Sequence, residues 1–287
     1  MTTHRPRSHN WTLVSAAVIA LAIGAARPAC AQLNQVNVFN NEVYEQTSSS
    51  APTTPAGYFF NIGALFNNPG DFTAATATFP GTGSPQALTL SGTSFGFGSP
   101  FGSLSAIHAA YGFGTYNYAA SGGTQGPATA KLSYTADNFT SAIPALSAAT
   151  YTTLNGYNPA NAISAVFNAF TPNGNANEAF TFFTIFDAAT SAVVYSAGFL
   201  DPSTTSALIP ANTLAPDTAY TYELDFSDRL QGLDEASGVT TFVGSDVRTD
   251  GAFTTGPPII LVPEPASVAV LAIALAGLGV SRRRRRG

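Results

Sequence analysis

The chain has 287 residues and a formal charge of -5, but most of its basic residues lie at the two ends. Between Gln32 and Val262 only Lys131, Arg229 and Arg248 stand against fifteen acidic side chains, a formal charge of -12. So acidic a stretch excludes nucleic-acid binding, which needs clustered Lys and Arg against phosphate, and the sole cysteine, Cys30, leaves the segment after it no disulfide.

Arg5 and Arg7 begin the chain, Leu13 to Ala26 is an apolar run, and Ala29-Cys30-Ala31 offers small residues before Gln32. This is the layout of a secretory signal peptide over 1–31, with cleavage after Ala31 and with Ala29 and Ala31 as the recognised small residues. Cys30 would suit a lipoprotein, but Arg27 and Pro28 stand where a lipobox wants Leu and a small residue.

About 230 residues remain between the end segments, enough for a full hydrophobic core in one large or two small domains. Their richness in Ala, Thr, Ser, Gly, Tyr and Phe, with little charge, predicts an all-β fold of antiparallel β-sandwich type. It would be flanked by the N-terminal signal helix and a C-terminal transmembrane helix.

Strands are expected at 56–60, 72–79, 86–91, 115–119, 128–134, 163–167, 179–186, 193–199, 219–226 and 247–253, with Pro/Gly turns between them. Apolar spacing also fits helices at 104–110 and 160–169. Phe95-Gly96-Phe97-Gly98 and Tyr111-Gly112-Phe113-Gly114 read as strand edges or a flexible loop. A looser stretch at Ser121 to Pro127 divides a β-rich region, 32–120, from a β-sandwich, 121–256.

Leu214-Ala215-Pro216-Asp217-Thr218-Ala219-Tyr220 leads into Thr221 to Phe226. Alternation places Tyr220, Tyr222, Leu224 and Phe226 on one face and Thr221, Glu223 and Asp225 on a solvated one. The segment resembles the turn-to-strand part of fibronectin type III and related immunoglobulin-like sandwiches. That resemblance implies a corner tyrosine at Tyr220, its ring in the core and its hydroxyl bonded to backbone upstream.

No residue earns a catalytic, cofactor or metal assignment. His108 is the only histidine beyond the signal segment and reads as structural; no Gly-x-Ser-x-Gly elbow, P-loop or dinucleotide fingerprint occurs. Asp225, Asp228, Asp234, Glu235, Asp246 and Asp250 read as a solvated acidic surface, although a calcium ion is the sharper alternative. Arg229 is expected to pair with Asp225 and Asp228. Glu223 and Asp225, about 7 Å apart on one strand face, have the separation a glycosidase needs, but an alternating solvated face predicts the same pair.

The last segment, 257–287, holds Pro263-Glu264-Pro265, an apolar run from Ala266 to Val280, and then Ser281 and Arg282, Arg283, Arg284, Arg285 and Arg286. A helix over 266–281 would cover only about 24 Å of a hydrocarbon core of about 30 Å, a marginal span. Tripeptide, apolar run and arginines in this order resemble the PEP-CTERM sorting signal of Gram-negative bacteria. The resemblance implies export by the general secretion machinery, transient retention in the inner membrane with the arginine tail at 282–286 in the cytoplasm, and processing near Pro263 by an exosortase. The destination would be the cell surface or extracellular matrix. A non-enzymatic structural role leads; a glycan- or protein-binding adhesion module, with exopolysaccharide as a partner, comes second; a glycan hydrolase is a distant third.

Overall fold

The computed structural model describes residues 33–257, so the signal segment, the Pro-Glu-Pro motif, the apolar run and the arginine tail lie outside the described residues. The strands are β1 (Gln35–Gln46), β2 (Gly57–Leu65), β3 (Ala74–Thr78), β4 (Gln86–Ser91) and β5 (Ser94–Phe101), followed by helix α1 (Leu104–Ala110). Next come β6 (Gly114–Ser121), β7 (Ala128–Tyr134), helix α2 (Ala148–Leu154), β8 (Ile163–Val166), β9 (Glu178–Asp187), β10 (Val193–Ser196) and β11 (Ser206–Ile209). The last two strands are the longest, β12 (Ala219–Asp234) and β13 (Val239–Thr254).

Eleven strands form one sheet in the order β10-β9-β12-β13-β1-β2-β5-β4-β3-β6-β7, and β8 pairs with β11 in a separate ribbon. All neighbours in the large sheet are antiparallel except β1 and β13, which run parallel from Gln35 opposite Thr240 to Gln46 opposite Gly251. Among the described residues no helix is long and apolar enough to cross a membrane.

The sheet serves two hydrophobic cores. In the first, β3, β6 and β7 fold back over β1, β2 and β5, so that the Tyr118 hydroxyl donates to the Asn37 carbonyl at 2.6 Å and β7 comes against β13 and β1. Phe60 stacks on Tyr111 at 4.0 Å, and Phe66 packs against Phe72 and Phe95, so aromatic rings fill this core. In the second, Phe183, Ile185, Tyr222, Leu224 and Phe253 pack with Leu154 of α2, Ala165 and Ile209 of the β8–β11 ribbon, and Leu146 just ahead of α2. Burying a side chain of this size stabilises by about 1.5–3 kcal/mol, so both cores are substantial without disulfides.

β13 runs through both cores, with Val239 and Val243 in the first and Phe253 in the second, while β12, also sixteen residues long, gives Tyr220, Tyr222 and Leu224 to the second. The loop at 122–127 joins β6 to β7, and the chain passes from the first core to the second only after Tyr134, along the crossover 135–145.

The helix expected at 104–110 is α1, with Ser103 accepting from the Ala106 N–H as its N-cap. The helix expected at 160–169 is not formed. Its residues 163–166 are β8, because Ala165 alternates inward against the second core while Ser164 and Val166 face out. The Phe-Gly stretch at 95–98 is neither an edge nor a loose loop but the middle of β5, between β2 and β4.

The candidate groove and the two faces of the central strands

The predicted alternation in β12 holds on one side: Tyr220, Tyr222, Leu224 and Phe226 are all buried. The Tyr220 hydroxyl accepts a hydrogen bond from the Ala215 N–H at 2.8 Å, the contact expected of a corner tyrosine. The other side corrects the expectation. Thr221, Glu223 and Asp225 are half-buried rather than solvated, because this face of β12 and β13 carries its own network of charges.

Arg248 on β13 stands directly across from Asp225. Its Nε lies 2.8 Å from Asp250 Oδ1, its second guanidinium nitrogen donates to Asp250 Oδ2 at 3.1 Å, and its remaining nitrogen is 3.4 Å from Glu223 Oε1. Residues two apart on a strand share a face, which brings Arg248 and Asp250 together, and the ladder pairs Glu223 with Asp250. Arg248 is only 11% exposed, whereas Glu223 and Asp250 keep 29% and 32%.

Burial pushes the Asp225 carboxyl well above its usual range; Arg248 opposes this, while Glu223, Asp246 and Asp250 add to it. Burial likewise raises Asp250 to about 6 against the pull of Arg248, with Glu223 and Glu45 contributing repulsion. Arg248 itself, pulled down by burial, is held above its ordinary value by Asp250, Glu223 and Asp225. One guanidinium therefore serves several carboxylates.

Arg229 does not pair with Asp225 and Asp228 as the sequence suggested. Its guanidinium lies over Phe39 at 5.2 Å and is flanked by Phe180 and Phe182, with Asp246 as the opposite charge that feels it. Asp228 sits on the opposite face of β12, fully buried, and accepts from the Asn173 N–H at 3.0 Å. Asp234 and Glu235 belong to the β12–β13 hairpin tip, where Asp234 accepts from the Lys131 N–H of edge strand β7 at 2.9 Å. The six acidic residues thus occupy three different environments. Among the described residues no group of His, Cys, Asp and Glu is placed to hold a metal ion.

Beside the Arg248 cluster, at the end of β1, an open groove of about 630 Å³ runs from β9 and β12 across to β2 and β5. Glu45, Glu223 and Asp250 supply carboxylates to it; Tyr58, Phe59, Phe101, Tyr151 and Phe186 supply rings. Two of the large rings on this side of the sheet lie flat over glycines. A Cβ on Gly98 would come within 2.6 Å of the Phe59 ring, and one on Gly244 within 2.1 Å of the Phe39 ring. Gly98, read from sequence as part of a strand edge or flexible loop, is a seat for an aromatic ring.

The buried face of the same strands is polar in a different way. The Asn40 amide donates to Asp137 Oδ1 at 2.7 Å, Ser245 Oγ accepts from the Asn138 N–H at 2.8 Å, and Thr249 Oγ1 donates to the Pro144 carbonyl at 2.6 Å. Gln46 exchanges two hydrogen bonds with the Leu146 backbone, at 3.0 and 2.9 Å, and accepts from the Tyr222 hydroxyl at 3.0 Å. These side chains bind the crossover that links the cores. His108, read as structural, joins them by contacting Asp137 at 2.8 Å.

The groove was missed at the sequence level because its residues come from six strands with no local motif. Its one legible signal is the spacing of Thr221, Glu223, Asp225 and of Asp246, Arg248, Asp250, two acidic ladders around a single arginine. The candidate sorting residues Pro263, Glu264 and Pro265, Arg282 to Arg286, and Ala29 and Ala31 lie outside the described residues.

No protein-family model and no curated protein matches the chain. Among solved structures, it is similar to the FN1–FN3 domains of chicken CNTN1 at 7% identity and TM-score 0.24, covering 79% of this chain and 67% of that one. A 1.5-MDa bacterial ice-binding adhesin gives 15% identity and TM-score 0.23 over 78% and 65%. Tp47, the 47-kilodalton lipoprotein of Treponema pallidum, gives 9% and 0.25 over 77% and 52%. The chain spans about two thirds of the first two and half of the third. At these TM-scores the likeness assigns neither a shared fold nor a function.

Proposed function

We propose that this is an exported cell-surface or extracellular-matrix protein with a structural, non-enzymatic role, sorted and C-terminally processed by an exosortase. The observation that carries the proposal is the layout of the chain: a strand-rich body with two cores on one sheet, between a signal-peptide-like start and an end with Pro263-Glu264-Pro265, an apolar run and five arginines. Long β13 ties the two cores together, which suits a module that has to stay folded outside the cell without disulfides. The intact mass of protein recovered from envelope and medium tests the sorting: it should lack 1–31 and end near Pro263-Glu264-Pro265. A mature protein still carrying Ala266 to Arg286 would contradict it.

The second reading, an adhesion module that binds glycan, is favoured by the groove, where aromatic rings and carboxylates share one open surface. Retention on a panel of immobilised polysaccharides, lost on replacing Phe59 or Phe186 by Ala, supports it; passage through the whole panel without retention contradicts it.

A further inference from the structure

The groove has a charge that its own residues do not balance. Glu45, Glu223 and Asp250 face it, Asp225 lies just beside it, and Arg248 is the cation within contact distance of Glu223 and Asp250. Like-charged carboxylates this close, in a partly dehydrated surface, repel one another, and a further positive charge relieves that repulsion. Burial first, and neighbouring carboxylates after it, raise the carboxyls of Asp225 and Asp250. On the same face as these charges, Phe59 and Phe186 offer half-buried ring surface.

Ring faces beside carboxylates select a ligand that is apolar on one side and cationic at a point. A hexosamine with a free amine has both, its C–H face for a ring and its ammonium for the carboxylates. A basic peptide has the charge too, but the groove does not favour its usual docking mode. Its floor is made by β12, β13 and β1, all interior to the sheet, so their backbone groups are committed on both sides and cannot accept an added strand. Recognition falls to side chains and ring faces.

We infer that the groove binds a cationic glycan built of amino sugars with free amines, the rings of Phe59 and Phe186 taking the sugar faces and Glu45, Glu223 and Asp250 the ammonium groups. This rests on the adhesion reading above and narrows it to one ligand chemistry.

The test is calorimetric titration of the full chain with three probes at neutral pH: an oligomer of glucosamine, the same oligomer fully N-acetylated, and an oligolysine of equal length. Glucosamine oligomer should bind tightest and weaken as salt is added. Glu45→Gln, on an exposed residue, and Glu223→Gln should each weaken it by about ten-fold while leaving the N-acetylated oligomer unaffected, since each removes one charge contact. Equal binding of the N-acetylated oligomer would keep the adhesion reading and overturn the ammonium contacts. Preference for oligolysine would overturn the glycan assignment, and no binding of any probe would overturn both. Unaltered glucosamine binding by a folded Glu45→Gln/Glu223→Gln double variant would move the site elsewhere.

Discussion

The two faces of β1, β13 and β12 both carry polar groups and handle them in opposite ways. On the buried face, Asn40, Gln46, Ser245 and Thr249 each engage a backbone or side-chain group of the crossover segment or its flank, so their polarity is consumed in joining one core to the other. On the grooved face, Arg248 serves Glu223 and Asp250 while standing across from Asp225, and the excess negative charge meets solvent. Polarity matched within the chain is architecture. Polarity left unmatched beside aromatic rings is available for recognition.

Substitutions on the buried face should therefore change stability. The largest effect is expected from Gln46→Leu, which strands the N–H and carbonyl of Leu146 and the Tyr222 hydroxyl in a buried place. Leaving such groups unpaired costs about 1–3 kcal/mol each, so denaturant unfolding should show a loss of at least about 3 kcal/mol. A loss under about 1 kcal/mol would mean that the seam does not hold the crossover.

Arg248→Met comes next. It leaves Glu223, Asp225 and Asp250 facing one another, at a cost of about 3 kcal/mol at neutral pH, as for one partner removed from a buried ion pair. Because the remaining carboxylates then favour protonation in the folded state, the deficit should shrink as pH is lowered. A deficit independent of pH would point to lost packing of the arginine stem instead.

The smallest effect belongs to Asp228→Asn, and its sign is opposite. Burial raises Asp228 from 3.8 to about 6, with the Asn173 N–H opposing and Asp246 adding. Between those two values the folded protein holds a proton that the unfolded chain has released, so this group makes stability fall as pH rises through the window. Asparagine removes that dependence and should raise stability at neutral pH by about 2 kcal/mol, with no gain at the acid end. A wild-type and variant difference that stays constant with pH would contradict the shift.

The apolar half of this architecture could be read from the sequence, and the polar half could not. The ranges 86–91 and 128–134 coincide with β4 and β7 because Leu88 alone, and Ala128, Ala130, Leu132 and Tyr134 in alternation, point inward. β1 escaped notice because its buried face runs Val36, Val38, Asn40, then Tyr44 and Gln46, and Asn40-Asn41 reads as a turn. β12 was expected to stop at Phe226 for the same reason: Ser227-Asp228-Arg229 looks like the start of a loop, yet Ser227 and Asp228 are buried and pairing continues to Asp234. Sequence patterns score a buried polar residue as surface when its partner lies about a hundred residues away, as Leu146 does from Gln46. The groove escaped for the related reason that its carboxylates and rings meet only when six strands are in register.

The contrast between the faces is tested most directly by mapping backbone amide chemical shifts of the folded protein on titration with glucosamine oligomer. The account predicts shifts confined to 43–47, 57–59, 185–187, 221–225 and 250–252, with the crossover amides 137–146 unmoved. Shifts centred on the crossover, or none at the carboxylate-bearing strands, would contradict it.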